Sequence, residues 1–572
     1  MADDNRATVD PVTLEVVRHK LEGIANEMES TLLRSSFSPI VKEGLDASAS
    51  LFTTDGESLA QAIAVPIHLA TLIPCVQRIL QTYALEQMRD GDVFIMNDPY
   101  LGGTHLPDIA LVMPVFHEGR PIALSATMTH HQDVGGMTPG SVPTTATEIF
   151  QEGIRIPPLK FRDAGELNST LIALLRLNVR LPDTFMGDLN AQLAACTIGA
   201  RRVVELADRY GADPLADIAA ALLRRSEQLT RLAIEAIPDG RYHYVDYLDN
   251  DGIELDKPVR IETTVHVQDD SVLIDFAGTA AQLKGPFNCV PSGAQAAAWF
   301  AMHALTDPEI PTNSGCFRPI ELRLPEGSLV NPRCPAPVNS RTATIKRITG
   351  CIIGALRQAL PERAPADAAS ELLVLAFAGE RRDGSRYIVG ELIASGSGAS
   401  ADKDGVDVIE TDGSNCMNLP VEALEMDAPI RVLCSRLRTD SGGPGRQRGG
   451  LGIQRVYEIL HGEVSFTHRG ERHDHPARGA QGGGDGQTAR SVITRVDGTE
   501  EVIHSKLVTV LHPGDRVEVT TAGGGGYGPA GERDRRALSE DLRNGKVRDA
   551  GIYAGPGAPD TRRQGRTERE AS

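Results

Sequence analysis

Cysteine is scarce and shows no pairing pattern. Eight cysteines, at 75, 196, 289, 316, 334, 351, 416 and 434, are spread over 572 residues without a CxxC pair. That excludes a disulfide scaffold and a zinc ribbon, and it fits a reducing compartment. Aromatic residues make up 4%, with one tryptophan. No run approaches the ~18 apolar residues of a membrane span. The opening MADDNRATVDP is polar and acidic, unlike a secretory leader, so the chain is read as cytoplasmic. Positive charge is short as well: 58 Lys plus Arg stand against 77 Asp plus Glu, a net charge of −19. This balance opposes non-specific attraction to nucleic acid or to an anionic membrane, and neither is expected as a partner. No P-loop (GxxxxGK followed by Ser or Thr) and no GxSxG nucleophile elbow occurs. No repeat of about 20–50 residues suggests a solenoid or propeller.

Hydrophobic residues (41%) and charged residues (24%) are present in ordinary globular proportions. At roughly 100–200 residues per domain the length suits three or four packed units. Fifty-seven glycines and 35 prolines point to many tight turns and to loops that carry chemistry.

Leu14, Val17, Leu21, Ile24 and Met28 recur at helical spacing after Asp10-Pro11, which predicts an opening amphipathic helix. Residues 47–53 and 93–96 read as strands, with a helix over 73–83 between them. Residues 109–116 and 122–128 read as a hairpin-like pair joined by His117-Glu118-Gly119-Arg120. Ala, Leu and Arg dominate 169–237, notably as helices over 188–210 and 214–237. Strand patterns resume from Tyr242, followed by helices over 294–305 and 342–360, and 385–528 is strand-like and crowded with glycine. The fold class is therefore α/β in the mixed α+β sense, in a large multi-domain chain. The expected units are an N-terminal α/β domain over 1–237 with a helical segment from about 169, and a second α/β unit over 238–384. A Gly-rich β-rich unit follows over 385–530, then a partly disordered tail over 531–572.

The most informative stretch is NDPYLGGTHLPDIALVMPVF, followed by ATMTHHQDVGG. His105, Asp108 and His130 fall in or beside turns at the ends of strand candidates, where loop residues can converge. Imidazole with carboxylate and no thiolate suits a divalent metal such as Mn, Fe or Zn. Asp46, just ahead of a strand, could add a second carboxylate. His131 and Asp133 stand next to the set as supporting or acid–base groups. The plainer reading makes His105 a turn histidine and Asp108 a cap.

A second cluster, His468-Arg-Gly-Glu-Arg-His473-Asp-His475, reads most simply as a solvated basic loop feeding Gly479–Gly484. Arg469 and Arg472 nonetheless offer forked donors for a phosphate or carboxylate. Gly523–Gly526 resembles a phosphate cradle in composition only.

Several motifs, far apart and in order, resemble the hydantoinase B/oxoprolinase family. They are DPVTLEVVRHKLEGIANEM, LDASASLF, NDPYLGGTHLPDIALV, THHQDVGG, DFAGTAAQLKGPFN, NLPVEALEMDAP, RTDSGGPGRQRGGLG and AGGGGYGP. The resemblance implies one divalent metal ion (Mn, Zn or Fe) held by Asp46, His105, Asp108 and His130; it assigns no role to their neighbours His131 and Asp133, which stay the catalytic candidates by position. It implies an A-type partner subunit that binds ATP and phosphorylates the substrate oxygen, within a hetero-oligomer. The implied activity is hydrolysis of a small cyclic amide of hydantoin, 5-oxoproline or lactam type. A component of a ketone carboxylase, using the same metal site, is the alternative, and a non-catalytic scaffold for the A-type partner is a third.

Overall fold

A computed structural model describes residues 9–553. The opening helix runs Pro11–Ser35, with the Asp10 carboxylate accepting the Thr13 N–H at 2.9 Å. It buries Leu14, Val17, Leu21, Ile24 and Met28, the stripe its spacing predicts.

The first sheet is built from β1 (Ala47–Phe52), β2 (Ser58–Gln61), β3 (Val93–Met96), β4 (Asp108–His117), β5 (Arg120–His130), β6 (Leu159–Asp163) and β7 (Glu166–Leu167). Their order is β2-β1-β5-β4-β3-β6-β7, antiparallel throughout. Glu118 and Gly119, with φ of 49° and 78°, form the two-residue turn between β4 and β5. Positive φ at both centres matches the twist of a hairpin and fixes its register.

Both faces of this sheet are covered. Leu189, Leu193 and Cys196 of the helix Pro182–Tyr210 pack on Ile109 and Leu111. Leu72, Val76 and Ile79 of the helix Pro66–Thr82 pack on Ala110, Val112 and Met128. Two-sided burial explains why β1, β4 and β5 read as continuous apolar runs. The helix Pro66–Thr82 begins well ahead of the expected 73, with Pro74 inside it. Pro74 removes one hydrogen bond without ending the helix, because the apolar face around it is held by the sheet. The helical arm comprises Ser169–Asn178, Pro182–Tyr210 and Ala212–Glu235.

A second sheet, β8 (Gly240–Leu248), β9 (Val259–Gln268), β10 (Ser271–Asp275) and β11 (Ile320–Arg323), has the order β11-β10-β9-β8. It shares a core with the helices Pro291–Leu305 and Arg341–Leu356. The third sheet joins Leu373–Glu380, Arg386–Ile393, Val464–Arg469 and Lys506–Leu511. Leu375, Phe377, Val389 and Phe466 from it meet Tyr457, Val517 and Val519 of a fourth, five-stranded sheet. The boundary expected at 384/385 therefore falls in the turn of a hairpin, since 373–380 pairs with 386–393. The first strand of that hairpin starts at Leu373.

Buried charge ties the second sheet to the third. Asp246 of β8 accepts from Arg347 and from Arg472, each at 3.1 Å. Burial raises the Asp246 carboxyl, but the two guanidiniums outweigh it and hold the group well below the usual carboxylate range.

Extended glycine segments hydrogen-bond to one another near the centre of the C-terminal half. Gly443 N–H donates to Gly524 O, Gly524 N–H to Gly450 O, and Gly450 N–H to Ser397 O, at 2.8–2.9 Å. A Cβ on Gly523 would lie 1.8 Å from Ser441 O, and one on Gly524 would lie 1.9 Å from Ser397 O. Close backbone approach, as in collagen, is what requires glycine here. The tract 523–526 is buried and faces other backbone, so it is no phosphate cradle. The tail expected from 531 includes the helix Arg535–Arg543, anchored by Arg533 on Asp404 and Asp541. The rest of that expectation, from 554 on, lies outside the described residues. Among the described residues no helix is long and apolar enough to cross a membrane.

Gly524→Ala forces backbone apart and will lower stability by about 1–3 kcal/mol or more. Gly23→Ala, in a helix with nothing within 4 Å of the new Cβ, will instead raise it by roughly 0.5–1 kcal/mol. Thermal or denaturant unfolding of the two variants beside the wild type checks both signs.

Candidate metal centre

Three adjacent strands bring the site together at one end of the first sheet. Asp108 opens β4 and His130 closes β5, and the two are direct register partners. Asp46 sits just before β1, where its carbonyl accepts the His130 N–H at 3.1 Å. His105 follows from the Gly102-Gly103 turn leading into β4. One ligand atom from each of His105, Asp108 and His130 lies within 4.8 Å of the others. His68, on the first turn of the helix Pro66–Thr82, completes the ring. Its Nε2 is 3.3 Å from Asp46 Oδ1 and 3.5 Å from Asp108 Oδ1.

All five side chains are buried or nearly so, and their partners fix their orientation. Asp108 Oδ2 accepts from Thr104 Oγ1 at 2.8 Å and from Arg341 Nη2 at 2.5 Å. Burial raises the Asp108 carboxyl, yet His105, Arg341 and His68 overcome it and hold the group well below its ordinary value. Burial dominates at Asp46, pushing it up to about 6 despite His68. Burial, reinforced by Arg341, pushes His105 down to about 4, and burial next to His105 takes His130 well down. Burial opposes the charge of His68, but Asp108 and Asp46 together raise its pKa.

The donor set fits a divalent cation. His105 Nδ1–H donates to the Asn339 carbonyl at 3.0 Å, so in the neutral ring Nε2 carries a lone pair. Nε2 stands 2.8 Å from Asp108 Oδ1, a spacing bridged by a proton in a hydrogen bond, where a metal ion would take the proton's place. His130 adds a buried Nδ1 without a partner. Neutral imidazoles and an ionised carboxylate are the protonation states a metal requires.

A cavity of about 50 Å³ adjoins the ring. His105, His130, Asp46 and His68 line one side, and Val374, Ala376, Ile388 and Leu392 of the third sheet line the other. Alternation along those strands turns Leu375, Phe377 and Val389 to the opposite face, into the C-terminal core. Arg341 and Arg469 also reach the cavity.

The structure does not bring His131 and Asp133 to this cavity. Period-2 alternation sends His130 and Gln132 to its wall and their neighbours away. His131 Nε2 is 3.1 Å from Gln192 Oε1, and its ring lies against Phe185. Asp133 accepts from Gly135, Gly140 and Arg180 backbone N–H groups and from Arg180 Nη1, at 2.9–3.1 Å. Both residues shape the 130–141 segment.

The second histidine cluster is not the solvated loop its composition suggests. His468 is buried, with its ring nitrogens on Ser505 O and Ser491 Oγ. Glu471 pairs with Lys506, and Arg472 spends its N–H groups on Asp246, Ala369 O and Pro476 O. Sequence reasoning missed His68 because the helix was started too late, although a polar residue two places after Pro66 in an apolar segment was a visible signal. Arg341 gave no such signal, since its contacts are made across the fold.

A mixed α+β chain with a buried imidazole–carboxylate centre between two sheets is the class of protein defined by fold and site. Hydantoinase B/oxoprolinase matches residues 10–530, and the chain belongs to that family. It is 32% identical over 559 residues to the B-type chain of a putative D-/L-hydantoinase from a Pseudomonas species, covering 94% of this chain and 93% of that one. The crystal structure of ATP-dependent caprolactamase from Pseudomonas jessenii superposes with a TM-score of 0.90 at 29% identity, covering 99% of this chain and all (100%) of that one. Acetone carboxylase shares the fold, with a TM-score of 0.88 at 20% identity over 99% of this chain and 84% of that one.

Wild-type protein purified without chelators and offered Mn, Zn or Fe is expected to hold close to one ion per chain, measured by elemental analysis. His105→Ala/Asp108→Ala will lose it, by more than the ~10–100-fold in affinity that loss of a supporting partner costs. His131→Asn, outside the cavity, will keep the metal while lowering stability by about 1–3 kcal/mol. Metal loss in His131→Asn with a folded chain would place that residue in the centre after all.

Proposed function

We propose that this chain is the metal-holding, B-type component of an ATP-dependent cyclic amide hydrolase that acts with an A-type, ATP-binding partner. The observation that carries the reading is the buried His105/Asp108/His130 set beside a small cavity, in a family member similar along nearly its whole length to hydantoinase and caprolactamase proteins. The sequence has no P-loop, in keeping with ATP being handled by the partner. The substrate class is a small ring amide of the hydantoin, 5-oxoproline or lactam kind. The carboxylase alternative has only the shared fold behind it.

An unstrained ring amide resists attack because its carbonyl is resonance-stabilised; phosphorylating that oxygen removes the resonance, so that water can add to the carbon and the C–N bond can break with a proton to nitrogen. The acyl phosphate left behind can then be hydrolysed by a second water to carboxylate and phosphate. A divalent cation at the site would lower the pKa of a water towards about 7 and polarise the activated carbon–oxygen bond. The chain's own residues set the stage. Asn339 fixes the His105 tautomer, while Thr104 and Arg341 hold Asp108. His68 lies between the two carboxylates, where it can hold a proton within reach of both. The apolar wall from the third sheet excludes bulk water, which strengthens every charge interaction inside. His131 and Asp133, satisfied by Gln192, Arg180 and backbone groups, act by keeping His130 in place.

The test is ring opening in the presence of the A-type partner, ATP and a panel of hydantoins, 5-oxoproline and lactams. His105→Ala is expected to lower turnover about a thousandfold, the equivalent of the several kcal/mol a metal supplies. Circular dichroism should stay unchanged. Undiminished turnover in His105→Ala would leave the chain as a scaffold for its partner and end the catalytic reading.

A further inference from the structure

Arg469 is the charged group in the cavity that the reading above leaves unused. It ends the strand Val464–Arg469 and sits opposite Val374, so it shares the cavity face with that residue. Its side chain is more than nine-tenths buried, at 7% exposure, and lines the cavity. Arg472, three residues on, has carboxylate and carbonyl partners for its guanidinium. The Arg469 guanidinium has no hydrogen-bond or ion-pair partner among the described residues. Burial and the neighbouring Arg341 push its pKa down to about 9, against the pull of Asp46 across the cavity. A buried, unpaired guanidinium is too costly to be a packing residue.

Two further features point to the same spot. Arg341 binds Asp108 through one amino group, while its Nε is buried without a partner. It also opens the 16-residue helix Arg341–Leu356, whose N-cap Ser340 makes no capping hydrogen bond and has a buried, unpartnered hydroxyl. Thr342, on the same first turn, lines the cavity. The positive end of a helix dipole and two guanidiniums thus face one small space. The charges also balance in an instructive way. Asp46 and Asp108 match Arg341 and Arg469 in number, so a divalent ion would leave the cavity positive for a ligand to meet. A guanidinium fork matches carboxylate and phosphate alike, but two guanidiniums with a helix N-terminus offer donors and charge enough for a dianion with three free oxygens. At ~10–15 Å³ per water, the cavity of about 50 Å³ has room for a few waters or one such group.

We infer that Arg469, with Arg341 and the uncapped first turn of the helix Arg341–Leu356, forms a docking point for a dianionic phosphoryl group. This rests on the function proposed above, and under it the occupant is the phosphoryl group carried by the activated ring amide. The site would then discriminate the phosphorylated ring from the free one, so that attack follows activation. Arg469 grips the phosphoryl group while the ring C–N bond breaks and until the resulting acyl phosphate is hydrolysed, and the His105/Asp108/His130 side handles the carbon under attack.

The probe is inorganic phosphate, with the full-length chain loaded with Mn and broadening of the ³¹P resonance as the readout. A parallel arm follows the thermal midpoint of metal-free protein in phosphate and in acetate at equal ionic strength. Wild type is expected to show saturable broadening and a midpoint raised by phosphate more than by acetate. Arg469→Met should weaken phosphate binding at least tenfold at unchanged Mn content, and Arg469→Lys, which keeps the charge and loses the fork, should weaken it less. Phosphate titrations of both variants that match wild type would overturn the inference, as would acetate stabilising as well as phosphate. If Arg469→Met fails to fold, Arg469→Lys decides by the same criterion, and the metal-free arm decides if Mn is not held. In the coupled reaction, Arg469→Lys should lower turnover of the ring amide severalfold or more. Wild-type turnover in that variant would remove the phosphorylated ring as the occupant. Absence of ring opening by wild type on every cyclic amide would sink the proposed function but leave the phosphate arms standing.

Discussion

Asp108 is a fully buried carboxylate held well below its ordinary pKa, and the centre is arranged about that fact. Uncompensated, such a charge costs several kcal/mol, which is too much for a protein of ordinary marginal stability. Its compensation comes from distant parts of the chain: Thr104 and His105 in the preceding turn, His68 on a helix, and Arg341 at the start of another helix more than 200 residues later. Docking the helix Arg341–Leu356 is therefore part of solvating Asp108. Asp246 repeats the device between the second and third sheets, where Arg347 and Arg472 converge on it. Paired charge, in addition to apolar burial, decides how the parts of this chain meet.

Register carries the second constraint. His130 and His131 are adjacent, so a slip of one residue in β5 would turn His131 to the cavity and His130 to Gln192. The Glu118-Gly119 turn and the alternating burial of Ile109, Ala110, Leu111 and Val112 between two different helices leave only one pairing favourable. The ligands are thus placed by the same pattern that packs the sheet. A strand with one solvated face would specify them less strongly.

Much of this was legible in the residues. Asp10-Pro11 and the Leu14–Met28 stripe predict the first helix, and the Gly119 turn predicts the hairpin, because local chemistry decides both. His105, Asp108 and His130 stand out because polar residues border apolar strands. His68 stayed hidden because the helix was expected only from 73, while tertiary packing lets it start at Pro66 and run through Pro74. Arg341 and Asn339 were invisible for a different reason: each acts on a residue far away in sequence, and no local pattern encodes such a contact. The buried strut around His468 was misread because charge density resembles exposure until Asp246, Glu471 and Ser505 are seen to satisfy it. The glycine segments have no side-chain period at all, so they resemble strands or flexible loop while being neither.

Those glycine segments bear on the chemistry through rigidity. The far wall of the cavity is one face of the third sheet, whose other face is the core shared with the fourth. Around it, Ser397, Gly443, Gly450 and Gly524 are joined by backbone hydrogen bonds that leave no room for a Cβ, so the assembly has little freedom to relax. The near wall is equally constrained, since its ligands stand on strand ends covered on both faces. Without a metal, His105 Nε2 and the Asp108 oxygen stay 2.8 Å apart around a shared proton, since both are held by walls with little freedom to move. A site held this way draws affinity from preorganisation, since the cost of assembling the donors is met by folding before any ligand arrives. The same argument extends to Arg469, a cation held against Arg341 by a sheet that cannot let it turn away. Stability built elsewhere in the molecule is thus stored at the cavity as unsatisfied charge.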